Sequence, residues 1–387
     1  LRVVRRFGSP FPLALYALSF YIKTLQGGIS VWEDIMNKST SSARAVSVRR
    51  EINMLNALGA LCLAVCMALI FAPFAPALAD DHKNHNGTDD GMTPREYAIP
   101  SGKATEALLL DVARAGTRIV AVGEFGHILL SDDSGASWKQ AASVPTRNTL
   151  VGVTFIDNQT GYAVGHAATI LKTTDGGQNW TMQYNERNGE TPLFAVYFAD
   201  AQNGIAVGGF SYTFETSDGG QNWTQRSLVE DSYDDFHLND LFADKKGNIY
   251  IPAEFGTVYK SVDRGRNWKA IETGYDGSFW GGFGLDSGDV LVYGMRGNVW
   301  RSSNAGKSWK KVETGTDQSV SGGTQLEDGR IVLAGLSGTV LVSANGAKSF
   351  TNQPRPDRLS FATAIGKGGD DIILLGAPGI RAHNLGN

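Results

Sequence analysis

One eight-residue motif returns along this chain on a nearly fixed beat, and that beat constrains the fold more than any other feature. It reads SDDSGASW (131–138), TTDGGQNW (173–180), TSDGGQNW (216–223), SVDRGRNW (261–268) and SSNAGKSW (302–309), with a degenerate copy, SANGAKSF, at 343–350. The closing aromatics, Trp138, Trp180, Trp223, Trp268, Trp309 and Phe350, stand 42, 43, 45, 41 and 41 residues apart. A second motif precedes each box in constant phase, from VGEFGHILLS (122–131) to AGLSGTVLVS (334–343). A seventh copy, LGAPGIRAHN (375–384), has no box after it. Gly123, Gly165, Gly208, Gly294, Gly335 and Gly376 share one position in this motif, with Ala253 the exception. A period in the low forties is that of a propeller blade.

Each unit divides into four short strands separated by turn residues. In the second unit we expect them at Leu150–Phe155, Gly161–Gly165, Thr169–Thr173 and from Trp180 to Gln183, with Asp157 and Asn158 in one gap and Asp175, Gly176 and Gly177 in another. The expected fold is therefore all-β: a seven-bladed β-propeller of four-stranded antiparallel blades over residues 95–387. The last unit, 359–385, lacks a box and a fourth strand, and REYAIP (95–100) is left over at the other end. We expect this N-terminal strand to pair with the last blade and close the ring, which removes exposed edges.

Before residue 95 the sequence changes character. Residues 54–79 read as a signal peptide. No charge occurs from Leu55 to Phe74, Arg44, Arg49 and Arg50 stand just before, and Ala77-Leu78-Ala79 offers a small-x-small cleavage site. The run is ~20 residues, long enough for a membrane anchor instead; Pro73, Pro76 and the Ala-Leu-Ala ending favour cleavage. Residues 1–53 read as upstream sequence and basic flank, not fold, and 80–94 as a polar, flexible linker. Both cysteines, Cys62 and Cys66, lie in the apolar run, so the folded part has no disulfide, CxxC site or thiol nucleophile. Residues 1–79 hold 8 of the 35 basic and 3 of the 39 acidic residues, which leaves 27 basic against 36 acidic ones. A body this acidic is poorly suited to nucleic acid.

The box residues have folding tasks. Asp133, Asp175, Asp218 and Asp263 can accept backbone N–H groups in the turn between the third and fourth strands. The following glycine permits positive φ. Trp138, Trp180, Trp223, Trp268 and Trp309 each supply a ring to bury between sheets. We therefore read these carboxylates as structural, not catalytic.

The boxes resemble the Asp-box, or bacterial neuraminidase repeat, of sialidases, sortilin-type receptors and several glycosidases. The joint pattern VGxxGxIxxTxDGGxxW, repeated over residues 95–385, looks more like the photosystem II stability and assembly factor family. That resemblance implies a non-catalytic propeller scaffold without cofactor that binds a membrane-protein client during assembly. The client is a photosystem II subunit or, in a non-photosynthetic host, another envelope complex. With the signal segment we expect export to the periplasm, or to the thylakoid lumen in a photosynthetic host, either free or held at the membrane, and we expect a monomer.

A sialidase would need an arginine triad and an Arg-Ile-Pro motif; here Arg118-Ile119-Val120 and Arg330-Ile331-Val332 occupy strands, and no Arg-Ile-Pro exists. A secreted glycosidase using two carboxylates and a surface receptor or adhesin are the alternatives. A carboxylate pair in the central channel would favour the first. Glu230, Asp231, Asp234 and Asp235, with Tyr233, Phe236 and His237, form an acidic loop that reads as solvated. His127 and His166 fall in neighbouring turns but lack a matched third metal ligand, so we expect no metal. The turn between strands two and three shares a face with the loops linking blades. On that face we place Glu124, Phe125, Phe210, Glu254, Phe255, Met295 and Arg296, with Arg147, Arg187, Arg355 and Arg358 in the linkers. Arginine and aromatic side chains are enriched at protein-binding hot spots. We therefore expect this face to dock the client.

Overall fold

The computed structural model describes residues 96–186, 189–228 and 236–386; the expected signal peptide and the linker at 80–94 lie outside them. Seven antiparallel sheets follow one another, each from consecutive strands, six with four strands and the last with three. In the second blade the strands are Leu150–Phe155, Gly161–Gly165, Thr169–Thr173 and Thr181–Tyr184. The first three keep the expected bounds. The fourth starts one residue late because Trp180 turns into the core, where it is 3% exposed.

The core is a set of seven wedges, each shared by two neighbouring blades. Val120 and Leu130 of the first blade meet Val153, Leu171 and Trp180 of the second. The same pattern runs round the ring to the wedge of Leu109 and Leu129 from the first blade with Ile373 and Leu375 from the last. Each box aromatic enters the wedge towards the preceding blade: Trp223 with the second blade, Phe350 with the fifth. The last blade has no box, and Leu385 is buried in its wedge with the sixth. Cationic side chains join neighbouring box turns as well. Arg118 Nη1 donates to Gly176 O at 2.9 Å, Lys172 Nζ to Gly219 O at 2.7 Å and Lys260 Nζ to Ala305 O at 2.6 Å.

The expectation that the N-terminal strand closes the ring needs correction. Residues 96–101 run against the first blade and its exit loop. Ala98 N donates to Val144 O at 3.0 Å, Gln140 Nε2 to Ile99 O at 3.0 Å, and Arg147 Nε to Tyr97 O at 3.0 Å. The last sheet keeps three strands among the described residues. Among the described residues the ring closes through the wedge between first and last blades, without an exchanged strand. An extended segment can satisfy its backbone at either edge, and Gln140 and Arg147 capture it at the first.

In each box a carboxylate or amide organises the turn. Asp133 Oδ1 accepts Ser137 N and the Ser131 hydroxyl, both at 2.8 Å, and Asn304 and Asn345 take the same place in the fifth and sixth boxes. Hydrogen bonds from Ser137, Asn222 and Asn267 pull Asp133, Asp218 and Asp263 down to about 2. The phased glycines have a different cause. Where the second strand ends, it passes so close to the start of the first that a Cβ on Gly165 would lie 2.1 Å from Thr149 O, and one on Gly208 2.0 Å from Pro192 O. The strand register shifts at this point, between Leu150 and Gly152 in the second blade. In the fourth blade the first strand is only Phe242–Ala243, pairing without a shift, and Ala253 fits. We predict that Gly165→Ala lowers stability by about 1–3 kcal/mol in urea unfolding, because the backbone must move to admit a methyl group. Ala253→Gly, with no such contact to relieve, should cost less than ~1 kcal/mol.

Candidate functional site

The linkers and the turns between strands two and three do share a face. A Cβ on Gly126 would lie 2.1 Å from Thr146 O of the next linker, and one on Gly297 the same distance from Thr316 O. At the tip of six of these turns a non-glycine residue takes the left-handed conformation: Phe125 at φ 57°, Ala167 at 55°, Phe210 at 54°, Phe255 at 52°, Arg296 at 54° and Ser337 at 54°. For bulky side chains this costs about 1–2 kcal/mol. The turn lifts each tip out of its blade, and Phe125, Phe210 and Phe255 are 60%, 58% and 65% exposed.

The structure brings two of these phenylalanines into one patch. Phe210 meets the His237 ring edge-on at 4.8 Å, Phe194 stacks on it at 6.0 Å, and Phe236 lies 5.3 Å from Phe255. His237 N donates to Glu254 Oε2 at 3.0 Å, which ties the third-to-fourth-blade linker to the fourth-blade turn. Phe125 stands apart in the first blade, edge-on to the His127 ring at 5.9 Å. Next to Phe255, between the fourth and fifth blades, opens a cavity of about 550 Å³ lined by Phe255, Tyr275, Asp276, Met295, Arg296 and Trp300.

The arginines divide into two kinds. Arg147 pairs with Glu96 at 2.8 Å and holds the N-terminal segment. Arg355 binds Asp357 at 2.5 Å, meets His383 Nδ1 at 3.2 Å and lies over the Phe361 ring, with only 14% of its side chain exposed. Both are engaged within the fold. Arg296 and Arg358 sit at left-handed positions, and their guanidinium groups make no hydrogen bond or ion pair among the described residues. Arg187 and the acidic residues Glu230, Asp231, Asp234 and Asp235 lie outside the described residues. Among the described residues no group of three metal-type ligands occurs, and His127 is buried, which lowers its pKa, against the Phe125 ring.

Sequence reasoning missed two residues in the central channel, a space of about 790 Å³ lined by the first strands of all seven blades. Asp111 Oδ2 accepts Val153 N from the second blade at 2.8 Å. Asp240 Oδ2 accepts Gly282 N from the fifth blade at 3.0 Å, and Oδ1 accepts Leu241 N at 2.7 Å. Each carboxylate thus bridges first strands that share no backbone ladder. Burial pushes Asp111 up to about 7 and Asp240 up to about 6, against the lowering effect of those N–H donors.

The fold defines the class: a repeat-built β-propeller. Two overlapping stretches, 136–191 and 185–334, match the family model of the photosynthesis system II assembly factor YCF48. They span just over half of the sequence. The chain belongs to that family. Among solved structures it is similar to YCF48 bound to D1 peptide, at 18% identity and a TM-score of 0.59, covering 76% of this chain and 97% of that one. It is also similar to YCF48 from Cyanidioschyzon merolae, at 16% identity and a TM-score of 0.58, covering 76% of this chain and 99% of that one. The GH74 xyloglucanase from Xanthomonas campestris shares the fold at 13% identity and a TM-score of 0.59, over 75% of this chain and 54% of the enzyme. No curated protein sequence matches significantly.

Proposed function

We propose that this chain is an exported, non-catalytic scaffold that holds a segment of a membrane-protein client on its linker face during assembly. The observation that carries the reading is an aromatic patch of exposed Phe210 and Phe255 with half-buried Phe236 beside Phe255, continuous with a cavity edged by the unpaired Arg296. Large apolar side chains held at strained, solvent-facing tips do nothing for the fold, whereas aromatic and arginine anchors carry binding energy. The family, and a relative solved with a D1 peptide, support a peptide-like client. Crosslinked capture from host membranes tests it. Truncating two anchors, Phe255→Ala with Arg296→Ala, removes about 2–4 kcal/mol of binding, so client recovery should fall at least ~10-fold. Unchanged recovery would sink the placement on this face.

A glycosidase reading draws on Asp111 and Asp240 in the channel. Both carboxylates already accept backbone N–H groups of the neighbouring strand, which gives them a structural role. Turnover in a glycan screen that Asp240→Asn abolishes would favour the enzyme.

A further inference from the structure

We propose that the open edge of the last blade takes an extended strand from the client, an inference that rests on the client-binding reading above. In six blades the third strand pairs with a fourth, of two to four residues. In the seventh the third strand, Gly379–Asn384, is the outer one among the described residues.

The phase of this edge follows from its inner pairing. Gly376 opposes Gly379 across a two-residue turn, the register runs without a shift to Asp371 opposite Asn384, and Leu385 N donates to Asp370 O at 2.9 Å. Alternation in an antiparallel pair then turns residues 379, 381, 383 and 385 inward, and the N–H and C=O groups of Ile380, Ala382 and Asn384 outward. Of these outward groups only Ile380 O has a partner among the described residues, the guanidinium of Arg381 at 2.7 Å. The strand carries no proline, lysine or bulge, the usual devices that blunt an edge.

The side chains along the edge define what fits it. Ile380 packs into the apolar wedge with the first blade. On the opposite face stand His383 and Arg381, whose guanidinium donates to Ile380 O and makes no ion pair, although its charge helps to lower the Asp357 carboxyl. Arg355 donates to His383 Nδ1, which puts the ring proton on Nε2, and Nε2 is buried without a partner. A guest strand would therefore alternate apolar side chains towards the first blade with acidic ones towards Arg381 and His383. Residues 80–101 offer no such strand. Residues 96–101 are held at the first blade, and the polar 80–94 stretch, DDHKNHNGTDDGMTP, is rich in residues that strands disfavour. Adding a strand to a free sheet edge is a recurring mode of peptide capture.

The test uses the full-length chain with two blocked hexapeptides, one alternating Glu and Val, the other Lys and Val. Amide exchange at Ile380, Ala382 and Asn384 should slow at least ~10-fold with the acidic peptide only, as new ladder bonds form. Arg381→Glu should transfer that protection to the basic peptide. Ala382→Pro, which deletes an outward N–H at an edge that tolerates proline, should abolish it while leaving the melting temperature unchanged. Three results overturn the proposal: no protection at millimolar peptide, equal protection by both peptides, or slow exchange before any peptide is added. The last means that a segment of this chain or a second copy already covers the edge. Client capture separates the two readings. Loss with the Phe255 and Arg296 changes but not with Ala382→Pro overturns the edge inference alone; loss with Ala382→Pro supports it; no loss with either removes both.

Discussion

Replacing Asp111 with Asn is expected to stabilise the propeller at pH 8 and to leave it nearly unchanged at pH 4. The folded carboxyl titrates near 7, far above its ordinary value of 3.8, because its channel position costs the ion its hydration. Between those two values the folded state holds a proton that the unfolded chain has released. Stability therefore falls as pH rises through this window and stays low above it. A displacement of about three pKa units corresponds to an upper limit of roughly 4 kcal/mol, and solvent in the channel reduces it, so we expect a gain of ~2 kcal/mol at pH 8. The amide oxygen of Asn can still accept Val153 N, so the bridge between blades survives. Asp240→Asn should act in the same direction with a smaller effect, since that group rises only to about 6. Urea midpoints at pH 4, 6 and 8 would check this. A variant whose pH profile follows that of the parent refutes the account.

Trp180→Ala should be the most damaging single change in any box. The ring is 3% exposed, its Nε1 donates to Gly177 O at 2.9 Å, and it meets Phe155 edge-on at 6.2 Å. Its removal opens a cavity in the wedge between the first and second blades, at a cost of about 3–5 kcal/mol. For a chain of this size that lowers the melting temperature by on the order of 10 °C. The half-buried Trp268 serves as the comparison. If Trp268→Ala proves as costly as Trp180→Ala, burial in the wedge is not what sets the effect.

The architecture was legible because each blade repeats one solution to one packing problem. A Trp that must fill a wedge, a Gly that must pass a carbonyl, and a turn that must bind its own N–H groups recur wherever the blade recurs. Contacts outside the repeat left no such trace. Nothing in LLLDVARA tells that Asp111 will bind the backbone of Val153, since a backbone N–H partner has no residue identity. Nothing in REYAIP tells which edge it will choose. The arginines show the same limit: Arg296 and Arg355 look alike in sequence, yet one is free and the other is held by Asp357 and His383. The clustering of Phe210 with Phe236 and His237 arises where Phe236 O and Leu238 N bond the third-blade backbone at Ser211 and Gly208, contacts that spacing alone does not specify.

The wedge between the first and last blades differs from its six counterparts in connectivity. Every other pair of neighbours is joined by a peptide linker, so blades that part there remain tethered and find each other again at high local concentration. Here the joint rests on side chains such as Leu109, Leu129, Ile373 and Leu375 and on the bond from Arg114 Nη2 to Gly366 O at 2.6 Å. It is the clasp of the ring. The whole chain between its two halves must be ordered before it can shut, which makes its contacts the most distant in sequence and the last to form during folding.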